Sequence, residues 1–355
     1  MFRTRPSAAV LVLACALCAA CTDSTPVPPA TPAAHATSAA AQDAIDASTS
    51  AILKGDSAAA MDALRSVPAA EFAAADADYR RCMLKRFDRS QPPAANTVPD
   101  DPFAARVLAA YQRYWWQALA TPARRAALDA RLEGDLRALL GGRAAAAQDI
   151  DAVENVLDEE LQKRDYHAQL GRTPPLRELM LWRQQRTQRF EVVLPEGPQS
   201  VHVDLLDDFV SRGWSSWARC GRGSAGGWAT DEKLYAIVPA YDDDGGLDSE
   251  TFRVVFLGHE AQHFADQNRY PDMPSWELEY RAKLVELAQA EQVSAKRLRS
   301  FITAQGDDPD SPHTYANRRV VVALARRLGR APDQVSVPEL QAAARDELLA
   351  DSARR

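Results

Sequence analysis

The run His259-Glu260-Ala261-Gln262-His263 carries the side chains that metal-assisted hydrolysis needs, at a usable spacing. On a helix, positions four apart share a face, so both imidazoles can reach one metal ion. Glu260 follows the first of them, where a general base can draw a proton from a water beside the metal. Neither Pro nor Gly interrupts the chain from His259 to Asn268. Val255, Phe256, His259, Ala261, His263 and Phe264 set a ligand face against an apolar one, and this period predicts a helix.

A catalytic zinc needs three protein ligands and one open position. After the turn-rich Tyr270-Pro271-Asp272-Met273-Pro274, a second helix is expected from about Ser275, carrying Glu277, Glu279 and Glu286. Glu277 and Glu279 stand about 200° apart around a helix, so only one can face the metal.

From Phe256 to Ala288 these residues resemble a gluzincin-type zinc metallopeptidase, with H-E-x-x-H on one helix and a Glu ligand on the next. The resemblance implies His259, His263 and Glu279 as ligands to Zn²⁺ and Glu260 as the catalytic base, with Glu277 a rival third ligand. Many gluzincins place an Asp four residues after the ligand Glu to orient a His; here that residue is Lys283. Either Ala282 marks an E-x-x-A variant, or Asp266 or Glu286 supplies the orienting carboxylate. His313 and Tyr315, in a later turn, are candidates to donate to the developing oxyanion; their alternative is a packed aromatic pair.

The elements that must hold this site divide the chain. Arg3 and Arg5 followed by the apolar Ala8 to Ala20 read as a signal peptide over residues 1–20. The segment ending in Leu17-Cys18-Ala19-Ala20-Cys21 resembles a bacterial lipobox, with Cys21 the lipidated residue and Cys18 a departure from the usual Leu. Residues 21–42, rich in Ala, Pro, Thr and Ser, read as a lipid-anchored flexible linker, with His35 inert. Residues 43–170 read as a helical N-terminal domain in which Tyr111, Tyr114, Trp115 and Trp116 are core. Residues 171–355 form the metallopeptidase domain, which the resemblance implies is zincin-like. It should open with a helix from Thr173-Pro174-Pro175. Strands are then expected at Phe190 to Leu194, Val201 to Leu205, Trp214 to Cys220 and Trp228 to Val238.

The fold class is therefore α+β, mainly helical, with a small, mostly antiparallel sheet. Trp228 to Val238 is the candidate edge strand for pairing with an extended peptide. His202 alternates with Val201 and Val203 on a sheet face, and His167 is a helix-end or surface residue; neither is expected to be a ligand.

Net charge is −7 and basic residues never run beyond adjacent pairs, which argues against a nucleic-acid partner. Once the leader and Cys21 are set aside, Cys82 and Cys220 remain, and an oxidising compartment favours a disulfide between them. The expected protein is an exported periplasmic or outer-membrane lipoprotein that hydrolyses peptide bonds. The alternative is a non-catalytic envelope binding or assembly lipoprotein with a structural metal site.

Overall fold

Helices begin where the sequence supplies their caps. The computed structural model describes residues 36–88, 98–223, 225–230 and 233–355. The expected signal peptide, Cys21, His35 and most of the linker lie outside the described residues. The first helices are α1 (Ala39–Leu53), α2 (Ser57–Arg65), α3 (Ala74–Phe87), α4 (Pro102–Ala120), α5 (Arg125–Leu140) and α6 (Ile150–Gln162). Asp56 accepts from Ala59 N ahead of α2, and Asp101 accepts from Phe103 N and Ala104 N ahead of α4, whose first residue is Pro102. On α4, Tyr111 and Trp115 are fully buried, and Trp115 Nε1 donates to Arg177 O at 2.9 Å. The aromatic cluster is core, as its spacing predicts.

The chain then turns to strands: β1 (His167–Gln169), β2 (Arg172–Thr173), β3 (Leu176–Arg177), β4 (Met180–Leu194) and β5 (Gly197–Arg212). The helix expected from Thr173-Pro174-Pro175 is absent. Pro175 disfavours helical backbone at Pro174, and β2 and β3 form a small hairpin about the two prolines. The strands expected around the Pro195-Glu196 turn are there but much longer, 15 and 16 residues. Residues 183–189 of β4 are exposed and polar, so they carry no period-two apolar signal; pairing with β5 holds them extended.

Trp214 to Cys220 is not a strand. Gly213, at φ +84°, ends β5, and α7 (Gly213–Ala218) follows. A Cβ at Gly213 would lie 2.4 Å from Glu178 Oε1, so the approach requires glycine. That same oxygen accepts from Leu179 N and Trp214 N at 3.0 and 2.8 Å. Burial pushes the Glu178 carboxyl up to about 7, against the pull of these two N–H groups. A carboxyl raised in the folded state keeps its proton there between the ordinary 4.5 and about 7, so stability falls as pH rises through that window. Glu178→Gln should remove about 3 kcal/mol of this fall, read as the difference in urea unfolding free energy between pH 4.5 and 7.5. Equal pH dependence in variant and wild type would show that Glu178 ionises normally.

The expected strand from Trp228 to Val238 is broken in two, β6 (Gly227–Ala229) and β7 (Leu234–Ile237). The sheet runs β1-β4-β5-β7-β6, with β5 and β7 parallel and every other neighbour antiparallel. Of the segment expected to be the edge strand, β6 alone lies at an edge of the sheet, with β7 inside. A π-helical turn, Thr251–Gly258, leads into α8 (His259–Arg269), and α9 (Ser275–Gln289), α10 (Ser294–Thr303), α11 (Pro312–Leu328) and α12 (Val337–Ala353) complete the chain. Ser336 and Glu339 close a capping box ahead of α12.

The fold is α+β and mainly helical. One apolar core lies among α1–α6 and takes in Leu176, Leu179, Leu181, Trp214 and Ala218 from beyond residue 170. A second joins the sheet to α8–α12 through Val203, Leu205, Phe252, Leu284 and Leu324. Cys82 and Cys220 are joined in a disulfide. No helix among the described residues is long and apolar enough to cross a membrane.

Candidate metal centre

Both imidazoles lie on one face of α8, as the four-residue spacing requires. Their Nε2 atoms approach to 3.0 Å, with rings at 78° to each other. α9 packs against this face and brings Glu279 Oε1 to 3.7 Å from His259 Nε2 and 3.5 Å from His263 Nε2. One donor atom from each of the three residues lies within 4.8 Å of the others.

The orienting carboxylate is Glu286, two turns along α9 from Glu279. Its Oε1 lies 2.7 Å from His259 Nδ1, and its Oε2 takes a bond from Arg297 Nε at 2.6 Å. With Nδ1 committed to a carboxylate, a neutral His259 would carry its lone pair at Nε2, toward the other two donors. Burial would push the His259 imidazolium down, but Glu279 and Glu286 outweigh it and hold it up to about 9. Burial would also raise Glu279, yet His259, His263 and His313 keep its carboxyl far below the usual range. The cluster thus favours a positive charge among its donors, and two imidazole nitrogens with one carboxylate oxygen fit a divalent cation.

Comparison with protein-family models, curated proteins and solved structures found no match.

The geometry sorts the remaining candidates. Glu277 points away, to Arg355 Nη2 at 2.6 Å, so Glu279 alone of the pair faces the imidazoles. Asp266 is taken by Arg281, whose Nε donates to its Oδ2 at 2.8 Å. Arg281 is fully buried and also binds Glu196 and Asp351, tying α9 to the β4–β5 turn and to α12. His313 Nδ1 lies 2.8 Å from Glu279 Oε2. Tyr315 packs edge-on against Trp276, with ring centroids 5.2 Å apart. His167 stacks on Trp182 and His202 is exposed, both away from the cluster.

Glu260 lines a cavity of about 200 Å³ together with His263, Glu279, Phe264, Ala229 and Thr230. The edge strand therefore borders the same space. Gly226 O accepts from Ile237 N and Thr230 N donates to Lys233 O, so Gly226, Trp228 and Thr230 bond inward to β7. Gly227 and Ala229 must then turn their N–H and C=O to the outer edge.

Sequence reasoning missed Arg297 and Tyr241. The Tyr241 hydroxyl donates to Gly226 O at 2.8 Å; burial pushes it upward, and the charge of Glu260 adds to the shift. Neither residue leaves a local signal, because each reaches the site through tertiary packing.

Proposed function

We propose that this chain is a zinc-dependent peptidase with a zincin-like C-terminal part. The reading is carried by one observation. Two imidazoles and a carboxylate converge beside a cavity that also holds Glu260 and borders the sheet edge. A zinc ion held by His259, His263 and Glu279 would polarise the scissile carbonyl and acidify the attacking water. Glu260 accepts the proton of that water and passes it to the leaving amine. Glu286, backed by Arg297, keeps His259 in the tautomer that presents Nε2. Gly227 and Ala229 offer backbone N–H and C=O groups to an extended peptide, laying it across the cavity mouth. His313 steadies Glu279, and His313 and Tyr315 are the candidates to donate to the developing oxyanion.

In this reading the protein is exported by residues 1–20 as a periplasmic or outer-membrane lipoprotein anchored through Cys21. The Cys82–Cys220 disulfide suits such an oxidising compartment.

Metal analysis of purified protein tests the reading. About one zinc per chain is expected, falling to near zero in Glu279→Ala because a two-imidazole site lacks its third donor. A small hydroxamate should bind the zinc-loaded wild type at the open position. Bound zinc with no hydroxamate affinity would instead make the metal structural and the protein a non-catalytic envelope lipoprotein.

A further inference from the structure

The two oxygens of Glu279 face different partners. Oε1 faces the imidazole pair, whereas Oε2 lies 3.1 Å from Lys283 Nζ and 2.8 Å from His313 Nδ1. Lys283 stands one turn after Glu279 on α9, so the pair shares a helix face. Its side chain is 6% exposed, against 71% for His313, and its ammonium lies 5.2 Å over the Phe301 ring. Solvent screens the His313 contact far more than the Lys283 contact. A buried ammonium is costly unless an anion lies beside it. Here that anion is the carboxylate that also faces the imidazoles.

From this geometry we infer that Lys283 is a positioning residue of the metal centre, restricting Glu279 to one ligating oxygen and offsetting its negative charge. The inference rests on the metal reading above. A carboxylate whose second oxygen is held elsewhere ligates through one atom, leaving room for water and substrate. An ammonium beside the ligand also cancels the charge the carboxylate brings. A divalent ion there keeps nearly its whole charge, as it would among neutral imidazoles, and is both a stronger electrophile and more weakly held. Glu286 orients His259 from two turns along α9, which leaves position 283 open to a cation.

Cobalt(II) serves as a visible probe in place of zinc. Wild type, Lys283→Met and Lys283→Gln are loaded with Co²⁺, their visible spectra recorded, and their affinities measured by chelator competition, with far-UV circular dichroism checking the fold. The wild type should give the intense bands of a four-coordinate ion. Lys283→Met removes the buried cation and leaves Oε2 beside the solvent-exposed His313 alone, so its bands should weaken toward a five-coordinate spectrum while Co²⁺ binds about tenfold more tightly. Lys283→Gln puts an uncharged polar group beside Oε2 in place of the ammonium, so it should keep the wild-type spectrum and still bind more tightly. If the Met variant does not fold, the affinity gain of the Gln variant carries the test. Folded variants with wild-type or weaker affinity overturn this inference and leave the metal reading standing. Wild-type protein that takes up no Co²⁺ overturns both.

Discussion

Glu260→Gln should cut peptide hydrolysis by about a thousandfold or more while bound zinc stays near one per chain. The side chain lines the cavity beside His263 and Glu279, yet it is not one of the three converging donors. Gln has nearly the same shape and can still accept a hydrogen bond, so the cavity keeps its form. What it lacks is an oxygen basic enough to take a proton from the attacking water. The measurements are kcat/KM on an unstructured protein substrate and metal content by atomic absorption, on the same sample. Loss of zinc along with activity would make Glu260 a ligand and leave the reaction without its base. Unchanged activity would remove Glu260 from the proton transfer and move the base elsewhere.

The imidazole pair was legible because a four-residue spacing on an uninterrupted helix leaves little geometric freedom. The choice between Glu277 and Glu279 was open in the sequence, since rotation about the helix says only that one of them faces the metal. Packing decides it: Arg355 takes Glu277 and the α8 face takes Glu279. The same holds for the orienting carboxylate. Asp266 and Glu286 are equally plausible along the chain, and the buried Arg281 removes the first from competition.

The strands were the harder part. Residues 183–189 of β4 are exposed on both sides, so no alternation marks them, and only cross-strand bonds to β5 keep them extended. Trp214 to Cys220 is rich in aromatic and small residues that suit a strand. A glycine at positive φ and the Glu178 carboxyl group turn it into α7 instead. The edge strand lay inside the expected segment, but its three residues could not be separated from β7 without seeing which side pairs with β5.

The second large effect concerns the covalent link between the two ends of the fold's helical core. Cys82, on α3, and Cys220, just past α7, are 138 residues apart in sequence with Cα atoms at 6.2 Å. Closing a loop of that length restricts the unfolded chain, and the chain-entropy relation puts the stabilisation at about 5 kcal/mol. The folded interface does not depend on the bond alone. Phe87 meets Trp217 edge-on at 6.2 Å, and the Arg86 guanidinium lies 4.5 Å over the Trp217 ring. The Cys82→Ala, Cys220→Ala double variant should therefore keep its native circular dichroism and its metal content. Its thermal midpoint should fall by about 7 °C, since an unfolding entropy of about 2.1 cal/mol/K per residue makes each kcal/mol worth about 1.5 °C in a fold of roughly 320 residues. Adding a thiol reductant to the wild type should reproduce the fall, and adding it to the double variant should change nothing. The loop after Cys220 leads directly into β6, whose Ala229 borders the cavity. Freeing its first residue should weaken binding of extended peptides, seen as a higher KM, while kcat, set by the α8–α9 residues, holds. A double variant with an unchanged thermal midpoint would show that the unfolded chain is already compact enough for the bridge to cost it nothing.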